Sequence, residues 1–411
     1  MRRPLRLWLL VLVLALAGCT GVPAPQIPTA GLPAAQQARA ARNVRVFQAA
    51  WRLVAEKHYE PKLHGLDWPA LGAKYGAQAA VAPDDQALYT VINTMLDALD
   101  DSHTHALPPG LALARRTRER ARTGLYALRL EGRWVVTEVL PGSPAQRAGV
   151  QPGWLIVARN GEPVRPRLDY QPYVGETADW TFLDAQDRRV TLPLTALLLS
   201  TAPRQFMREL PGGLVYLRFD GFDTRDRRWL GEQLQAHRSA PGVIIDLRFN
   251  PGGETWSLGI SLGEFFARKT DCGAFTTRAG TREVKNSWQL GSARYAGRVA
   301  VLVDSGTASA AEIFSAVLQE HGRATVVGRK SAGAVLASRY YALPDGGELQ
   351  LSVEDYVTPK GRRLEGAGVL PDVPSQLTLA DLRAGRDPDL AAAVQALTAG
   401  GSAAEKLQAT P

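Results

Sequence analysis

The sequence predicts a multidomain α+β chain, with a helical domain near the N-terminus, a small β-rich domain and a larger α/β core. Three observations carry that reading. Apolar residues recur at helical spacing between Ala41 and Leu99, first at Val44, Phe47, Trp51 and Val54, then at Leu88, Val91, Ile92, Met95, Leu96 and Leu99. From Thr123 to about Thr195 the pattern changes to short strands and Gly/Pro turns. From about Gln205 strand-type and helix-type segments alternate, which predicts a core with some parallel pairing.

In chain order, Met1-Arg2-Arg3-Pro4-Leu5-Arg6 is a basic stretch followed by the apolar run Leu7 to Leu16. That run is too short to span a bilayer comfortably and reads as a secretory signal, residues 1–18. It ends in Leu16-Ala17-Gly18-Cys19, which resembles a bacterial lipobox. The resemblance implies lipidation of Cys19, and Thr20 after it implies an outer-membrane anchor facing the periplasm. The alternative is an ordinary signal peptide with Cys19 incidental. Residues 19–40, rich in Pro, Ala, Gly and Gln, read as a flexible tether.

The helical domain is expected over 41–120 and holds the polar loop Leu99-Asp100-Asp101-Ser102-His103-Thr104-His105. The β-rich domain follows over 121–200, with a strand at Trp134 to Val139 and an Asn160-Gly161 turn. The core, 201–380, is expected to carry strands at 214–219, 243–247, 299–303, 325–327 and 350–356. Its helices are expected at 226–237, 255–268 and 308–320. A terminal helix over 388–397 and a Gly/Ala tail complete residues 381–411.

Composition excludes several classes of function. The 411 residues contain only two cysteines, Cys19 and Cys272, so there is no disulfide framework and no thiol cluster for a metal. Cys272 reads as a buried or idle thiol. The formal net charge of +8 falls to +5 when Arg2, Arg3 and Arg6 leave with the signal. The basic run Arg115 to Arg122 has no interleaved aromatic residues and reads as a solvated linker, with no nucleic-acid partner.

Two stretches carry chemistry. Ile244-Ile245-Asp246-Leu247-Arg248-Phe249-Asn250-Pro251-Gly252-Gly253 is a strand ending in a glycine turn, whose N–H groups can hold a developing oxyanion. Val301-Leu302-Val303-Asp304-Ser305-Gly306-Thr307-Ala308-Ser309-Ala310-Ala311-Glu312 is a strand that turns into a helix, with Ser309 at the junction and near the positive end of the helix dipole. Together they suggest a serine hydrolase. The plainer alternatives are a capping box made by Ser309 and Glu312 and a simple turn at Pro251 to Gly253.

Asp-Leu-Arg-x-Asn-x-Gly-Gly followed by Val-Asp-x-x-Thr-Ala-Ser-Ala-x-Glu resembles the paired signature of the C-terminal processing (tail-specific) and tricorn-core peptidases. The resemblance runs from about Val44 to about Leu397 and implies an α/β, crotonase-like peptidase core with Ser309 as nucleophile and no cofactor or metal. Asp246 and Arg248 read as structural, holding the strand end and its turn. Between the two outer domains, Gly124-Leu125-Tyr126-Ala127-Leu128, Pro141-Gly142-Ser143-Pro144-Ala145 and the Asn160-Gly161 turn resemble a PDZ domain, which implies a β-barrel. There a peptide C-terminus would add as a strand beside Gly124, Leu125, Tyr126, Ala127 and Leu128. The alternative is a module with no retained ligand site.

The base for Ser309 separates the two branches. The tail-specific branch uses a lysine 25 residues after the serine, at position 334, where this chain has Ala334; Lys330 lies four residues early. The tricorn-core branch implies a Ser-His pair and a late glutamate, which fall on Ser102, His103 and Glu365. His103 would then be the general base, with Glu365 acting alongside Ser102. N–H groups of Gly252 or Gly253 and of Ala310 would form the oxyanion hole. His105 is a rival base, and Glu365 could instead pair with Arg362 or Arg363. His-x-His could bind a metal, but no third ligand lies near it in sequence. The expectation is a lipid-anchored, PDZ-containing serine peptidase acting on peptides or unfolded proteins. The alternatives are a Ser-Lys peptidase using Lys330 and a catalytically silent PDZ peptide-binding protein.

Overall fold

The computed structural model describes residues 23–29, 31, 33–164, 172–285 and 294–399. The signal segment, Cys19 and the end of the tail lie outside the described residues. The three helices Ala34–Lys57, Trp68–Ala80 and Asp85–Leu96 form the helical region. Of the residues that the 3.6-residue spacing selects they bury Phe47, Trp51, Val54, Leu88, Ile92, Met95 and Leu96, while Val44 and Val91 are half-buried. Asp67 and Asp84 cap the second and third by accepting N–H bonds from Ala70 and Ala87. Val46, Phe47, Trp51, Leu88, Ile92 and Met95 share one cluster with Leu343, Leu349 and Leu351 from far along the chain. The helical region is therefore packed directly onto the core.

The β-rich domain forms a sheet whose strands run Leu125–Leu130, Arg133–Val139, Leu155–Arg159, Thr177–Leu183 and Arg189–Thr195 in spatial as well as chain order, with Glu162–Pro163 pairing onto the third. Among the described residues this path is open at both ends, so the expected closure into a barrel is not seen. Val136, Ile156, Trp180, Phe182 and Leu194 fill its core together with Ala145 of the short helix Pro144–Arg147. Two attachments hold the domain to the rest. Glu138 receives both Arg204 and Arg218, and these two guanidiniums also pair with Asp220 at 2.8 and 3.0 Å. On the other face, Leu379 packs with Val135 and Leu155, and Arg383 reaches Asp187 at 2.6 Å.

The core is a six-stranded sheet ordered Gln205–Glu209, Val215–Phe219, Gly242–Asp246, Arg298–Val303, Thr325–Gly328 and Val373–Pro374. The first pair is antiparallel and the others are parallel. Alternation along the strands sorts their side chains. Val243, Ile245, Val301 and Val303 face Leu230, Leu258 and Phe314 of the covering helices, while Ile244, Ala300 and Leu302 face Ala393 and Leu397 of Pro388–Ala399. The helix expected to reach Arg268 stops earlier, as Thr255–Gly263, where its final residue is a poor helix former.

A second sheet joins the helical region to the core. The long strand Glu348–Val357 pairs with Asp271–Thr277, with Ala337–Ala342 and with the short strand His105–Leu107. The last pairing sets His105 opposite Gln350 and carries the 99–104 loop to the core.

Candidate active site

Ser309 caps the helix Ala310–Glu320 with φ 56° and ψ −123°, a backbone state that side chains other than glycine's rarely adopt. The surroundings over-determine it. Its N–H donates to the Ala334 carbonyl at 2.7 Å and to Glu312 Oε2 at 3.1 Å. Glu312 is fully buried and also accepts Ser331 Oγ at 2.5 Å, Gly333 N–H at 2.7 Å and Ala334 N–H at 2.8 Å. The glutamate of the Ser-x-x-Glu pattern thus does more than cap a helix: it pins the 331–334 loop beside the serine. Burial pushes its pKa up, against the lowering effect of those four donors.

The glycine turn meets Ser309 from the other side. Gly252 lies so close that a Cβ there would sit 2.7 Å from both Ala310 N and Ser309 Cβ, so only glycine fits. Its own N–H donates to Asn250 Oδ1 at 2.8 Å. Ala310 is the first residue of the helix, so its N–H stands at the junction with Ser309, and Gly253 lies in the same turn as Gly252, against Phe222. Asn250 Nδ2 donates to the Phe219 carbonyl, the Ala308 N–H to Asn250 O, and the Thr307 hydroxyl to Leu247 O. Asp304 Oδ1 takes the N–H groups of Phe249 and Gly306 at 3.1 and 3.0 Å. These braces lock the two turns together. Asp246 and Arg248 are structural, as expected: Arg248 bonds Asp246, Asp387 and Asp389, tying the strand end to the terminal helix.

The remaining predicted residues arrive through Glu365. Its Oε1 accepts the Ser102 N–H at 3.0 Å and its Oε2 accepts the Val335 N–H at 2.9 Å, so one carboxylate bridges the 102–103 loop to the residue after Ala334. Ser102 Oγ lies 2.6 Å from His103 Nδ1. The His103 Nε2 makes no hydrogen bond among the described residues. Burial pulls the His103 pKa down, while Glu365 and Asp101 act to raise it. Arg362 pairs with Glu320 and Arg363 with Asp355, so neither rival engages Glu365. His105 is exposed on its strand. Lys330 is exposed too, with Nζ 3.3 Å from the Gly366 carbonyl.

The region 213–375 matches the model of peptidase family S41. The chain is a serine peptidase. Residues 41–97 match the tricorn protease C1 domain and residues 135–179 a PDZ domain. The chain is 29% identical to a carboxyl-terminal-processing protease of Synechocystis over 394 residues, covering 89% of this chain and 90% of that protein. It is 26% identical to a tricorn protease homologue 2 of Streptomyces coelicolor, covering 85% of this chain and 32% of that one. The structure of a photosystem II D1 C-terminal processing protease aligns with a TM-score of 0.59 at 24% identity, over 86% of this chain and 97% of that one, a likeness of fold.

In this serine peptidase Ala334 stands 25 residues after Ser309, and its carbonyl accepts the Ser309 N–H at 2.7 Å. The PDZ residues Leu125 to Leu128 lie on an edge strand of their sheet, and Gly124 packs against Ser143. Tyr126 lies under the guanidiniums of Arg122 and Arg204, at 4.7 and 5.4 Å from the ring centre. Cys272 is buried, with Sγ 3.6 Å from the Thr270 carbonyl. The sequence reading did not single out Asp304, Asn250 or Thr307, although all three stand inside its motifs. It also passed over Asp101, whose Asp-x-x-Thr spacing is a turn signal, and His58, which has no local signal.

Proposed function

We propose that this serine peptidase works through Ser309 as nucleophile, His103 as base and Glu365 with Ser102 as their support. The observation that carries the reading is the bridging carboxylate of Glu365, which ties Ser102 to the loop that contacts Ser309. Ser309 Oγ adds to the scissile carbonyl carbon while its proton passes to His103 Nε2. N–H groups of Gly253 and Ala310 receive the oxyanion. Collapse breaks the C–N bond, and the imidazolium returns the proton to the departing amine. Water then repeats the sequence on the acyl ester, giving the acid and free Ser309.

The substrates in this reading are peptides or unfolded proteins, presented by their C-termini to the edge strand at 124–128. The 29% identical relative named for carboxyl-terminal processing supports that choice. Lipidation at Cys19, with the protein held at the outer membrane and facing the periplasm, belongs to the same proposal and rests on the N-terminal sequence. Fluorophosphonate labelling of a soluble form beginning at Thr20 tests the chemistry. Labelling is expected to vanish in Ser309→Ala, to fall steeply in His103→Ala and to persist in Lys330→Ala. Loss in Lys330→Ala with survival in His103→Ala would replace this base by the lysine.

A further inference from the structure

Asp101 stands immediately before the Ser102-His103 pair, and its carboxylate is almost completely enclosed, with 1% of the side chain exposed. Five donors converge on it. Oδ1 accepts the His103 N–H at 3.0 Å, the Thr104 N–H at 2.7 Å and Ser352 Oγ at 3.0 Å. Oδ2 accepts Thr104 Oγ1 at 2.7 Å and His58 Nε2 at 2.9 Å. His58 is itself fully buried at the end of the first helix, and the Glu60 N–H lies 3.2 Å from its Nδ1. Its main-chain carbonyl is held by Arg278. A helix end, the long second-sheet strand and the loop thus meet at one carboxylate. Burial alone would raise the pKa of that carboxylate, yet the bonds from His58 and Thr104 bring it down to about 2, so it is charged at neutral pH.

We propose that Asp101, oriented by His58, is a positioning residue that fixes where His103 presents its imidazole. The proposal deepens the base assignment above and rests on it. The bonds to the His103 and Thr104 N–H groups fix the backbone there, and among the described residues the ring has Ser102 Oγ as its one side-chain hydrogen-bond partner. A buried anion holding two successive N–H groups fixes the ring more firmly than loop packing alone would, and a displacement of about 1 Å at a catalytic base costs on the order of 10²-fold.

The experiment uses the full chain in detergent and the pH-dependent rate of fluorophosphonate reaction, separated into a maximal rate and a half-saturating concentration. The charged and titratable groups facing His103 are Glu365, Asp101 and His105. Asp101→Asn is expected to lower the maximal rate at least about tenfold, leave half-saturation unchanged and move the acidic limb to lower pH. His58→Gln, which keeps a donor where Nε2 stood, is expected to react like the wild type, whereas His58→Phe falls with Asp101→Asn. Equal rates for His58→Gln and His58→Phe, or an unshifted limb with wild-type maximal rate in Asp101→Asn, would overturn the proposal. Reaction surviving in His103→Ala would instead overturn the base assignment, and this inference with it.

Discussion

At the scale of the residue, the strain at Ser309 is the clearest conflict between stability and chemistry. A serine at φ 56°, ψ −123° is held there by bonds to Ala334 and Glu312 because that state exposes its hydroxyl at the junction. Ser309→Gly removes the steric cost and is expected to raise stability by about 1 kcal/mol in urea unfolding while abolishing labelling. With His103 as the proposed base, this histidine would set the pH range. Because burial lowers the pKa of His103, its neutral form persists to lower pH, and the acidic limb of labelling should lie below the ordinary 6.5. Glu365→Gln removes a charge that raises this pKa, so the limb should move lower still as the rate falls. Asp101 acts on stability with the opposite sign. Its depressed pKa contributes on the order of 2 kcal/mol above the usual carboxylate range, lost as pH falls towards about 2.

At the scale of the element, three pieces of chain build the candidate site, and they differ in how readily the sequence reveals them. The Val301-to-Glu312 stretch announces itself: a continuous apolar, β-branched run, a small-residue turn and a helical run all agree, and the structure forms a strand and helix there. The second sheet was harder to read. The strand His105–Leu107 is only three residues long and has no period of its own; its pairing with Glu348–Val357 comes from tertiary contact. The 331–335 loop was legible only as a missing lysine. That it lies against Ser309 depends on Glu312, whose capping pattern concealed a buried carboxylate with three further donors. Glu312→Gln places an amide N–H against those donors and is expected to destabilise the protein by about 1–3 kcal/mol in chemical unfolding, with labelling lost in the folded fraction.

At the scale of the molecule, the site draws on the helical region, the glycine turn and the late core, and each was legible as a separate region with its own periodicity. The attachments between regions were not, because they depend on side chains far apart in sequence: Glu138 with Arg204 and Arg218, and Leu379 against Val135 and Leu155. Leu379→Ala is expected to cost about 2 kcal/mol and to expose the 125–195 region to limited proteolysis before the core is cut. The segment that makes this contact lies near the chain's end, and the same end supplies Asp387 and Asp389 to Arg248 below the glycine turn. Timing follows from that placement. During synthesis the strand and helix that meet at Ser309 are complete well before the residues that bond Arg248 and seat the β-rich domain. A chain cut short before Leu379 would carry Ser309 without the bonds of Asp387 and Asp389 to Arg248 and without the contact of Leu379 with the β-rich domain.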